Sequence, residues 1–186
     1  MRSVHARLIA AALAGLLVSA ATSVAQDVTE PSLKSAFIYN IATFTVWPSQ
    51  TLPGNAPFIA CVVGDSAVGS ALERTVRGRM LAGRPVTVVR VPNEGAVPMC
   101  HLLYVSDVNV ERGRQIVEAL RGTPVLTIVE IEGFAMPGSV ARMFVERARL
   151  RFEIDYGLAK YSGLQLSSKL LALASRVHDG SVQVSR

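Results

Sequence analysis

Cys61 and Cys100 are the only cysteines in this 186-residue chain, and they allow three chemistries: a disulfide, a metal site or a pair of buried thiols. Metal binding is the weakest, because Cys100 and His101 are adjacent, so a strand points them to opposite faces, and no Cys-x-x-Cys supplies further ligands. Bond or thiols then turns on compartment, and the first 25 residues bear on it. Arg2, His5 and Arg7 form a basic head, residues 8–18 an apolar run, and Ser23-Val24-Ala25 a small-x-small cleavage site. That is a secretory signal over residues 1–25, with a mature chain beginning at Gln26. The run is shorter than the roughly 20 apolar residues of a spanning helix and lacks a basic far flank. In an oxidising compartment an even cysteine count points to a bridge, with two buried free thiols as the alternative. Closing a loop of about 40 residues would stabilise the fold by about 4 kcal/mol in the chain-entropy model.

The stretch Val62-Val63-Gly64-Asp65-Ser66-Ala67-Val68-Gly69 holds the next candidates. Gly64 and Gly69 have the spacing of a phosphate loop, but Ser70 stands where lysine is required, so transferred phosphates cannot be neutralised. Gly64-Asp65-Ser66 also resembles the nucleophile block of GDSL-type esterases. Those enzymes need an oxyanion-hole Gly and Asn downstream and an Asp-x-x-His near the end, where this chain reads His178-Asp179. A serine without a base and oxyanion donors is inert, so Asp65 or Ser66 is expected to cap a helix instead. No catalytic residue, metal or cofactor is expected.

The last candidates are charges. Arg149, Arg151 and Glu153 alternate with Leu150, Phe152 and Ile154, which predicts a strand with one charged face and one packed face. Such a strand is either a solvated edge or a docking surface.

These residues need elements to hold them. Pro31 opens a helix on which Leu33, Ala36, Phe37, Asn40, Ile41 and Phe44 share a face, ended by Trp47-Pro48. Residues 58–63 form a continuous apolar run, expected as a strand buried on both faces, followed by a helix over 67–76. Strands are predicted at 85–91, 101–105 and 124–129, with a helix between the last two capped by Asp107 or Asn109 and closed by Gly122. Residues 140–145 and 150–154, joined by Glu146-Arg147-Ala148, should form an antiparallel hairpin at one edge. The end should be helical: 156–161, a break at Ser162-Gly163, then a Ser167 cap with Leu170, Leu171, Ala174 and Val177 facing inward. The expected fold is a single-domain α/β three-layer sandwich over residues 26–186. Its sheet is mixed and mostly parallel, with helices on both faces and disorder confined to the tail after about residue 180.

Composition narrows the partners. Removing residues 1–25 takes away Arg2 and Arg7 and no acid, leaving 161 residues with 17 basic and 14 acidic side chains, a net +3. The basic residues are scattered, without a stripe or interleaved aromatics, so nucleic acid is not an expected partner.

Taken together, several short motifs resemble the YfiR family of periplasmic proteins. They are the segment from Lys34 to Asn40 with Trp47-Pro48; Cys61 with Gly64-Asp65; Cys100-His101 leading to Ser106; Leu126-Thr127 with Gly133-Phe134; and Arg151 to Asp155 with Ser162-Gly163-Leu164 and the segment from Leu166 to Leu171. The resemblance spans nearly the whole mature length and implies a non-enzymatic periplasmic repressor. Such a protein docks on the extracytoplasmic sensor domain of an inner-membrane diguanylate cyclase and holds down cyclic-di-GMP synthesis. It further implies an outer-membrane-associated lipoprotein that sequesters the repressor, and a homodimer. Cys61 and Cys100 match a bridging pair of the family. Relatives with a second pair differ from this chain, which puts four-cysteine redox switching out of reach here, and Asp155 stands where relatives commonly carry Asn. On this reading Arg149, Arg151 and Glu153 form part of the docking surface. The competing readings are a periplasmic small-molecule sensor serving a kinase or receptor, using a crevice at the strand ends, and an esterase built on Asp65-Ser66.

Overall fold

Short polar caps and left-handed turns decide where this apolar chain reverses. The computed structural model describes residues 29–135 and 138–180. The expected signal segment and the tail beyond residue 180 lie outside them. In chain order the elements are α1 (Glu30–Thr43), β1 (Thr45–Val46), a 3-10 turn (Ser49–Thr51), β2 (Phe58–Val63), α2 (Ser66–Val76), β3 (Met80–Leu81), β4 (Arg84–Val91) and β5 (Leu102–Ser106). There follow α3 (Val110–Ala119), β6 (Leu126–Glu130), β7 (Ala141–Glu146), β8 (Arg149–Asp155), α4 (Tyr156–Tyr161), β9 (Gln165–Leu166), α5 (Ser168–Leu173) and β10 (Arg176–His178). The side chains of Asp65, Asn109, Asp155 and Ser167 each accept a backbone N–H at the start of α2, α3, α4 and α5 respectively.

Eight strands make one mixed sheet in the order β10-β8-β7-β6-β5-β2-β4-β3, and β1 pairs with β9 in a small antiparallel sheet of its own. The central run from β4 to β7 is parallel throughout, because each crossover returns the chain to the same end. β2 is packed on both faces, so the sandwich has two cores. Ile38, Ile41, Val68, Leu72, Leu158 and Leu170 from the helices pack with Phe58, Val62, Tyr104 and Ile128 on one face. Ile116, Val117 and Phe134 pack with Cys61, Val63, Leu103 and Val129 on the other. α1 is tied to the sheet by charge as well. Lys34 bonds to Glu30 at 2.7 Å and to Glu130 at 2.8 Å, and Tyr104 donates to the other Glu130 oxygen at 2.6 Å. Burial opposes the Lys34 charge, but the two carboxylates outweigh it and raise its pKa, while burial and Glu130 push the Tyr104 phenol up.

Three expectations are corrected. α1 stops at Thr43 rather than at Trp47, because Thr45 and Val46 leave the helix to pair with Leu166 and Gln165. Its buried residues are Ser35, Ile38, Ile41 and Ala42, while Leu33 and Asn40 are exposed. The helix turns that face toward α2, where the Ser35 and Thr75 hydroxyls lie 2.8 Å apart. At the far end the chain does not finish as helix. α5 ends at Leu173, and Val177 belongs to β10, which runs parallel to β8 and pairs with Glu153, Ile154 and Asp155. The hairpin of β7 and β8 forms as expected, though β10 rather than β8 is the outermost strand on that side of the sheet. Its two-residue turn puts Arg147 and Ala148 at φ 51° and 58°, the mirror-image turn whose twist suits a hairpin.

Two strand ends come close at the carboxyl end of β2. Gly64 has φ +90°, and a Cβ there would sit 1.7 Å from the Ser106 carbonyl oxygen. Gly64→Ala is therefore expected to lower the unfolding free energy by about 3 kcal/mol or more, through combined clash and left-handed strain. Urea denaturation would measure it, and a loss under about 1 kcal/mol would show that the two strand ends can separate freely.

Candidate functional site

The pairing of β2 with β5, which sets Cys61 beside Leu103, brings the cysteines within reach. They form a disulfide with Cα atoms 6.0 Å apart, Cys61 inside β2 and Cys100 two residues before β5. Both are buried in the core on the α3 face. The next residue holds the same seam from the opposite face. His101 Nδ1 accepts the Ile59 N–H at 2.9 Å, so Nε2 carries the hydrogen and donates to the Thr51 carbonyl at 3.3 Å. The Trp47 indole N–H donates to the His101 carbonyl at 2.9 Å, and the Phe58 ring lies 5.1 Å from the imidazole. Burial lowers the His101 pKa, and Arg84 adds to this against the Thr51 carbonyl, so the imidazole is held neutral.

Asp65 spends its carboxylate on the Ala67 and Val68 N–H groups at 2.8 and 3.0 Å. The described histidines are engaged elsewhere, His101 as above and His178 with Glu153, so neither serves Ser66 as a base. This turn works as a helix start.

The charged row on β8 divides. Arg149 and Arg151 are exposed, but Glu153 is not on a solvated face: its side chain is 5 % exposed, 2.6 Å from Arg142 Nε and 3.2 Å from His178 Nε2. β10 and the facing Arg142 of β7 cover it, which alternation along β8 alone could not indicate. Burial by itself would raise the Glu153 pKa, yet hydrogen bonds from Arg142 and His178 hold it below the ordinary carboxylate value. Beside the exposed arginines opens a cleft of about 370 Å³ lined by Phe37, Phe44, Leu150, Arg151, Phe152 and Leu173, among others. The sequence places Phe37 and Phe44 on one helix face but not the cleft they wall. No local signal marks it, because its walls come from α1, β8 and α5, which are far apart in the chain.

The order of these parts, from α1 through the disulfide seam to α5, coincides with one known family. A family model described as YfiR/HmsC-like matches residues 31–175. The chain belongs to the YfiR/HmsC-like family. This YfiR/HmsC-like protein is thereby placed among periplasmic regulators of diguanylate cyclase, a family of regulators rather than enzymes. No helix among the described residues is long and apolar enough to cross a membrane.

Two outcomes follow from the seam. Replacing both cysteines, Cys61→Ala with Cys100→Ala, should cost up to about 4 kcal/mol in urea denaturation, and thiol titration of the denatured wild type without reductant should find no reactive thiol. Two titratable thiols would break this account. The second outcome concerns pH. Folding depresses the His101 pKa, so as pH falls below about 6.5 the unfolded chain takes up the proton first. The contribution of neutral His101 is complete above that pH and is lost as pH falls toward the folded value. Between pH 7 and 5 the denaturation midpoint should fall more steeply for wild type than for His101→Gln, and equal slopes would rule out His101 as the cause.

Proposed function

We propose that this protein is a non-enzymatic periplasmic repressor that docks on the extracytoplasmic sensor domain of an inner-membrane diguanylate cyclase. The leader over residues 1–25 delivers a single mature domain to that compartment. The observation that carries the reading is the hairpin end of the sheet. Arg149 and Arg151 stand exposed in a row without an ion-pair partner among the described residues, next to an apolar cleft floored by the margin of the α1-side core. Recognition needs such a surface: a packed apolar centre supplies affinity, and rim charges steer and select the partner. Glu153 acts from beneath, because its pairing with Arg142 and His178 fixes β8 against β7 and β10. A second reading, a small-molecule sensor serving a kinase or receptor, draws support from the cleft volume, which lies in the range of small-ligand sites.

Charge reversal separates docking from a merely solvated edge. Arg149→Glu with Arg151→Glu should fold as wild type does, because both side chains are exposed, and should raise cyclic-di-GMP in cells carrying the cognate cyclase. A doubly reversed protein that folds normally and represses like wild type would remove this surface from the interface.

A further inference from the structure

The outer edge of β8 is only half covered. β10 pairs with Glu153, Ile154 and Asp155, and the last bond on that side runs from the Ser175 N–H to the Phe152 carbonyl. No strand among the described residues pairs with 149–152 on that side. In an antiparallel ladder alternate residues turn both backbone groups the same way. The Asp155 N–H points inward to Val140, and the Phe152 carbonyl points outward to Ser175, so Leu150 also presents its N–H and C=O outward. This unpaired stretch adjoins the cleft walled by Phe37 of α1, Phe44 just after it, Leu150 and Phe152 of β8, and Leu173 of α5, which is 67 % exposed. Arg151 lines the cleft and Arg149 precedes Arg151 on the same strand, both exposed and neither in an ion pair among the described residues. Glu146 is in register with Arg149 but makes no ion pair with it.

We infer that the open edge at 149–152 accepts an extended segment of a partner protein that alternates acidic and apolar residues, pairing with β8 and seating its apolar side chains in the cleft. This rests on the docking reading above and names the chemistry of the partner's segment. Strand addition supplies main-chain bonds for affinity and pockets at alternate positions for specificity. Arg149 and Arg151 project from the same side two residues apart, about 6.6 Å along the strand, which matches acids at alternate positions of an added strand. The same charges argue against a second copy of this chain as the occupant, since two β8 edges would set arginine rows side by side and like charges across strands destabilise pairing.

The test uses the mature protein and two synthetic hexapeptides, one alternating glutamate with valine and one alternating lysine with valine, and reads the exchange of the Leu150 amide. The glutamate peptide should slow that exchange at least about tenfold at saturation and the lysine peptide should not, with the preference inverted in Arg149→Glu with Arg151→Glu. Equal protection by both peptides, by neither, or protection that grows with protein concentration without peptide, overturns the inference. The purified sensor domain of the cognate cyclase forms a separate arm. If it fails to bind while the glutamate peptide protects Leu150, the choice of cyclase as partner is lost and the acceptor edge stands. If it binds and Leu150 exchanges at the free rate, the repressor reading stands and strand addition is wrong.

Discussion

The parallel pairing of β2 with β5 is the constraint on which the rest of the structure depends. One bond type alone would leave it weak, since parallel pairs are slightly less stable per residue than antiparallel ones. Here it is fixed on three sides: by the disulfide on the α3 face, by His101 and Trp47 on the α1 face, and by the contact of Gly64 with Ser106 at the carboxyl end. The seam is also where the winding reverses, because β2 leads through α2 to β4 on one side while β5 leads through α3 to β6 on the other. Both cores meet across it, so loosening it would unpack two layers at once.

The hairpin end is built on the opposite principle. There the sheet is held by a three-residue strand, a buried Glu153 and a two-residue turn in left-handed backbone, and apolar side chains are left facing solvent. Monomeric proteins usually blunt such an edge with charge, and Arg149 and Arg151 do so here without covering it. A surface that stays soluble alone yet retains an apolar floor is what reversible association requires.

What was legible in the sequence followed from local physics. The run 58–63 is a strand because unbroken β-branched and apolar residues suit a position buried on both faces, and Asp65, Asn109 and Ser167 start helices because their side chains accept backbone N–H groups. The failures are all tertiary. Thr45 and Val46 continue a helical pattern until Leu166 and Gln165 of β9, far along the chain, offer them a ladder partner. Residues 174–177 keep a plausible helical period, but the chain leaves the helix after Leu173 and the free edge of β8 captures 176–178 as strand. Glu153 obeys the alternation of its strand and is buried nonetheless, since what covers it comes from β7 and β10. The family was readable because its motifs sit at these same local signals. The cleft was not, because it exists only between α1, β8 and α5.

The bridge also changes the chain as a thread. Cys61 and Cys100 are 39 residues apart, so once joined they shorten the extensible contour by about 130 Å and leave a closed ring holding α2, β3 and β4. A ring cannot pass lengthwise through a pore sized for one extended strand. For a periplasmic protein threaded through such a pore, transport and oxidation would be ordered by geometry: the bond would form after residue 100 had crossed, and from then on the path back through the pore would be shut.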